Sequence, residues 1–105
     1  MARMPREIVL APEAVADFKA LRAFERAIVR DAMERHLRHE PTRSSRSRIK
    51  RLEGVQRPQY RLRVEGIRVF YDVTDAVVEV LAIVPKSGAA AWLKRCAKMA
   101  AQEEQ

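Results

Sequence analysis

The sequence predicts an α+β fold, with an N-terminal strand, a helical hairpin, an antiparallel β-meander and a C-terminal helix. Three observations predict it. Apolar residues recur at helical spacing from Val15 to Leu37, the period switches to two from Tyr60 onward, and a second helical stretch follows the last strand. A chain of 105 residues with 48% hydrophobic content suits one domain over residues 1–105, with a core over about 6–96 and a fraying C-terminal tail.

Arg6 to Leu10 read as a short first strand. Pro12 then stands at a first helical position and Glu13 in a first turn, which marks a helix start. Val15, Phe18 and Leu21 form one apolar stripe, continued by Phe24, Ile28, Ala32 and Leu37; a break between Leu21 and Phe24 folds the two halves into a hairpin, and a single long helix is the alternative. Pro41 ends the helical region, because the residue before proline is pushed out of the helical basin. Thr42 to Ser47 is a polar, basic loop. After it Tyr60, Leu62 and Val64 alternate with Arg61 and Arg63, and Ile67, Val69, Tyr71 and Val73 alternate with Arg68, Phe70 and Asp72. Val77 to Val84 is apolar at nearly every position, as a strand covered on both faces requires. Glu65-Gly66 and Thr74-Asp75 are the turns between strands, and Ser87 to Lys98 is a helix packing through Ala90, Ala91, Trp92 and Leu93.

Charge narrows the function. The net charge is +7, and it is local: residues 41–70 carry nine cations against two anions, which equals the whole excess, while the remaining residues balance. These cations are Arg43, Arg46, Arg48, Lys50, Arg51, Arg57, Arg61, Arg63 and Arg68. One continuous stretch is built to meet something negative, nucleic acid first among the candidates. A lone cysteine, Cys96, allows no internal disulfide and fits a reducing cytoplasm. The N-terminal apolar run is too short for a signal peptide or a span, so no membrane partner is expected.

The hairpin sharpens the expectation. With Glu65-Gly66 as a two-residue loop, Val64 lies opposite Ile67, Arg63 opposite Arg68, Leu62 opposite Val69 and Arg61 opposite Phe70. Tyr60, Leu62, Val64, Ile67, Val69 and Tyr71 then face the core, while Arg61, Arg63, Arg68 and Phe70 share the other face. A directly opposed arginine pair costs a few tenths to about 1 kcal/mol without an anion, and a phosphate converts it into charge-assisted contacts. Phe70 beside them offers a stacking surface for a base. The competing reading leaves the arginines solvated or neutralised by Glu79 on the next strand, with Phe70 packed under the final helix.

Other signals are weak. His36 and His39 lie three residues apart but lack a convincing third metal ligand, so no metal is expected and a solvated helix face is the preferred reading. Cys96 has no histidine near it in sequence. No Gly-rich phosphate loop, CxxC pair or HExxH motif occurs, so no cofactor is expected.

The segments RLEG (51–54), YRLRVEGIRVFYDV (60–73) and AVVEVLAIVPKS (76–87), followed by a short helix, resemble the RelE/ParE superfamily of type II toxin-antitoxin toxins, the RelE branch in particular. The resemblance covers nearly the whole chain and is strongest from Lys50 to Lys86. It implies a toxin neutralised by a cognate antitoxin, acting as a ribosome-dependent mRNA endoribonuclease that inhibits translation. Arg61, Arg63, Arg68 and Lys86 then hold the catalytic positions, and Arg43, Arg46, Arg48, Lys50, Arg51 and Phe70 bind RNA. The pattern departs from the family at Ser87, where an arginine is common, and at Trp92, where a tyrosine often serves in proton transfer. Arginine also replaces lysine in the basic strand and makes a poor base, because guanidinium stays protonated. Transition-state stabilisation is well supplied and acid–base chemistry is not, with Tyr60, Tyr71 and Glu65 as the remaining candidates. A ParE-like poison of DNA gyrase and a non-catalytic RNA-binding module are the alternatives.

Overall fold

The architecture follows from how the sequence's two periodicities are paired in space. The computed structural model describes residues 4–103, with side chains through Met99. In chain order the elements are β1 (Glu7–Leu10), α1 (Pro12–Ala20), α2 (Ala23–Leu37), β2 (Ile49–Arg51), β3 (Tyr60–Val64), β4 (Ile67–Val73), β5 (Val77–Pro85) and α3 (Lys86–Glu103). The expected α+β order is present, with one addition. β2 is a three-residue edge strand that only its pairing with β3 reveals, since three residues carry no readable alternation.

The five strands form one sheet in the order β1-β5-β4-β3-β2. β1 runs parallel to β5, and the other pairs are antiparallel. One face carries the larger core, in which Val29, Met33 and Leu37 of α2 pack on Leu62, Val69, Tyr71, Val78 and Val80. The opposite face carries a smaller cluster of Phe70, Ala82 and Trp92 beneath α3.

The helical hairpin breaks at Leu21-Arg22, and the Glu25 carboxylate accepts the Arg22 N–H at 3.0 Å to cap α2. The buried row of α2 lies one position over from the expected stripe except at Leu37, which belongs to both. Val29, Met33 and Leu37 are buried, Ile28 and Ala32 only partly so, and Phe24 is 62% exposed. Both rows fit a 3.6-residue period, and the angle at which the hairpin lies on the sheet chooses between them. α3 likewise packs through Ala89, Trp92, Leu93 and Cys96, whereas Ala90 and Ala91 face solvent. Tyr71 anchors the chain after α2, its hydroxyl donating to the Pro41 carbonyl at 2.6 Å.

The β4–β5 register shifts between Phe70 and Tyr71, leaving Leu81 as an extra residue on β5. Val78 and Val80 therefore stay in the larger core while Ala82 passes under α3. Beyond the end of β1, the Asp17 carboxylate accepts the Ile83 N–H at 2.9 Å, so α1 finishes that edge of β5. No helix among the described residues is long and apolar enough to cross a membrane.

Candidate nucleic-acid interface

The β3–β4 hairpin has the register that its sequence predicts. Val64 pairs with Ile67, Arg63 with Arg68, Leu62 with Val69 and Arg61 with Phe70. Glu65 closes the turn at φ 53°, the left-handed conformation that a two-residue connection demands. All six residues expected to face the core are buried. Arg61, Arg63 and Arg68 consequently share the face covered in part by α3. Lys50 joins them, lying opposite Arg61 across the β2–β3 ladder. Among the described residues, none of these four cations has a carboxylate within ion-pair distance.

The three arginines are not equivalent. Arg63 is exposed. Arg61 is half-buried, and its Nε is enclosed without a hydrogen-bond partner. Arg68 is only 6% exposed and donates from one terminal nitrogen to the carbonyls of Glu65 at 2.8 Å and Ile67 at 3.1 Å, bracing the turn it follows. Burial, then the charges of Arg61 and Arg63, push the Arg68 pKa below the ordinary guanidinium value; burial and Arg63 do the same to Arg61. An anion arriving here relieves repulsion that the free protein leaves uncompensated.

Carboxylates stand close by but are engaged. Arg57 donates from Nε to Asp72 at 2.7 Å and from a terminal nitrogen to Glu79, which is the cross-strand partner of Asp72. Glu79 thus neutralises Arg57 and not the hairpin arginines.

Phe70 requires a correction. It is fully buried and stacks on Trp92 with ring centroids 4.8 Å apart and planes 11° off parallel. Trp92 also donates its indole N–H to Glu13 at 3.2 Å, tying α3 to α1. A base cannot reach the Phe70 ring while α3 is docked, because the apolar face that alternation left uncovered is the one α3 needs.

The remaining basic residues disperse. Lys86 starts α3 at the tip of the hairpin, its backbone N–H donating to the Gly66 carbonyl at 2.8 Å. Arg46 is exposed in the connecting segment. Arg43 pairs with Glu40 at 2.9 Å. Arg51 turns to the other side of the sheet, donating to the Tyr60 hydroxyl at 3.0 Å and lying over its ring. Arg48 contacts Nε2 of His36 on α2. That contact is solvent-exposed and adds a partner to His36 that the sequence did not reveal; twelve positions separate the two residues, and only the path of the loop brings them together. Tyr60 and Tyr71 both point into the larger core, away from the arginines, and burial raises the Tyr71 pKa further. Neither is placed for proton transfer on that face. Among the described residues, no three His, Cys, Asp or Glu side chains gather as metal ligands.

Residues 8–89 match the family model of the ParE toxin of the type II toxin-antitoxin system, parDE. The chain belongs to this toxin family. No curated protein matches it in sequence at a significant level. Solved structures share the toxin's fold. The archaeal RelE–RelB complex from Pyrococcus horikoshii OT3 is 23% identical with a TM-score of 0.64, over 79% of this chain and 97% of that one. The toxin-antitoxin complex RelBE2 from Mycobacterium tuberculosis is 22% identical with a TM-score of 0.67, over 77% and 98%. The RelB–RelE antitoxin-toxin complex from Methanococcus jannaschii is 18% identical with a TM-score of 0.62, over 80% and 96%. The expected RelE/ParE fold is the one observed, and the chain is a type II toxin.

Proposed function

We propose that this toxin binds mRNA on the face of β3 and β4 and cleaves it at the ribosome, arresting translation. The supporting observation is the convergence of Arg61, Arg63 and Arg68 on one side of a hairpin, with no carboxylate paired to any of them among the described residues. Exposed Arg63 and half-buried Arg61 present donors to one phosphodiester, and buried Arg68 adds its charge beneath them, so that the charge gained when a neighbouring 2′-hydroxyl attacks is stabilised. Lys86, at the hairpin tip, adds a cation on the leaving side. No tyrosine or histidine stands on this face, so the hydroxyl proton passes to water, to RNA or to a ribosomal group, and cleavage by the isolated protein is slow. An antitoxin partner is supported by the three structural relatives, each of which is a toxin–antitoxin complex.

The match to the ParE toxin model supports a second reading, in which the same cations engage DNA gyrase. Cell-free translation separates the two. The wild-type toxin is expected to arrest synthesis and leave codon-phased mRNA ends, and Arg63→Ala is expected to abolish both. Arrest with intact mRNA defeats the nuclease; stabilised gyrase–DNA cleavage complexes with normal translation establish the second reading instead.

A further inference from the structure

We propose that the cleft bounded by Arg48, His36 and Arg63, where the segment leading into β2 meets β3, is a second phosphate site through which the RNA strand on the hairpin face continues onto α2. This rests on the reading of the protein as an RNA-binding toxin and adds the path that the strand takes beyond the hairpin.

Two cavities meet at this edge. One, of about 430 Å³, is lined by Arg48, His36, Ser47, Arg63 and Glu65. The other, of about 330 Å³, shares Arg48 and His36 and extends to Arg35 on α2 and to Arg43 and Ser45 in the segment after it. Each is large enough for a nucleotide-sized group. Arg63 connects the regions, since it belongs to the hairpin face by register and also borders the first cavity.

The cleft rests on ordered backbone. The Ser45 N–H donates to the Ile49 carbonyl at 2.9 Å, and the Ser45 hydroxyl oxygen accepts the N–H of Arg48 at 3.1 Å. The Arg63 N–H donates to the Arg48 carbonyl at 2.8 Å, joining this segment to β3. Arg48 is therefore carried at a set height above the sheet edge.

Charge favours an anion. Of the carboxylates around the cleft, Asp31 pairs with Arg35 at 3.2 Å and Glu40 with Arg43 at 2.9 Å. Glu65, exposed at the hairpin tip, is the remaining acidic group facing it. Arg48 has an imidazole and no carboxylate as its partner, and Arg63 has no carboxylate partner among the described residues. Burial, Arg48 and Arg35 hold the His36 imidazole below its ordinary pKa, with Asp31 opposing, and His39 lies one turn on. A phosphate between Arg48 and Arg63 offsets those charges and raises the His36 pKa. The complex then holds a proton that the free protein releases, so affinity rises as pH falls through the imidazole range.

Purified toxin is titrated with single-stranded RNA of about 4 and about 12 nucleotides, lengths that bracket common groove site sizes. The short RNA is expected to bind wild type and Arg48→Ala alike, while the long one binds Arg48→Ala about 3- to 10-fold more weakly, with its salt slope reduced by roughly 0.7. The long RNA is expected to tighten between about pH 8 and about pH 5.5, and His36→Gln to remove most of that gain. Proton NMR of His36 is expected to show its pKa rising when RNA is bound, and inorganic phosphate alone to produce a smaller rise. Unchanged long-RNA affinity in Arg48→Ala, or an unmoved His36 pKa at saturation, overturns the second site while leaving the hairpin reading intact. If wild type binds neither RNA, or Arg63→Ala binds both normally, the underlying RNA reading fails first.

Discussion

Arg63 and Arg68 face each other across one ladder step, yet their surroundings assign them different duties. Arg63 is exposed, and among the described residues its side chain has no hydrogen-bond or ion-pair partner to lose on truncation. Arg68 is buried and holds the hairpin turn through two carbonyls. Arg63→Ala is therefore expected to change folding stability by less than about 0.5 kcal/mol while removing RNA binding and toxicity. Arg68→Ala is expected to lose the same function and also about 1–3 kcal/mol of stability, because it removes two hydrogen bonds from a charged donor. Thermal denaturation beside a binding assay separates the two; equal stability losses defeat the division of roles. The shared face of these arginines was legible in the sequence, since strand alternation and a two-residue loop leave one register. Their unequal burial was not, because Arg68 stands on β4 between two neighbouring strands and folds back on its own turn, which the order of strands in the sheet decides.

At the scale of elements, α3 is where the sequence reading and the structure diverge most. The 18-residue helix covers the minor core chiefly through Trp92, with Ala89, Leu93 and Cys96 around it, and leaves Met99 61% exposed. Trp92→Ala is expected to destabilise the fold by about 3 kcal/mol, because a large ring leaves a stack that cannot collapse. Trp92→Phe is expected to retain most of the stack and lose about 1 kcal/mol with the Glu13 hydrogen bond. Denaturant midpoints check both, and equal losses refute the stacking account. Alternation placed Phe70 correctly on the arginine face. What covers that face is a non-local matter, settled by a helix that follows only after one further strand. β2 escaped notice for a related reason, since a three-residue strand exists only by virtue of its partner.

Across the whole molecule, the excess positive charge is gathered on the hairpin face and the neighbouring sheet edge, with Arg43, Arg51 and Arg57 consumed by local partners. Added salt then acts in opposite directions on folding and binding. Screening eases the repulsion among Arg61, Arg63, Arg68 and Lys50, so the melting temperature is expected to rise between about 0.05 and about 0.5 M salt, while RNA affinity falls steeply. A melting temperature that falls in parallel with affinity shows that the cluster is not strained in the free protein. By itself the sequence determined the fold class, the hairpin register and the side of the sheet on which the arginines stand, because each follows from local periodicity, turn chemistry or the two-residue alternation of a strand; the helix break at Leu21-Arg22 it left as one of two options. Only the tertiary structure decided which cations remain unpaired, that Phe70 is roofed by Trp92, and that His36 meets Arg48, because burial and long-range pairing depend on how distant segments cross.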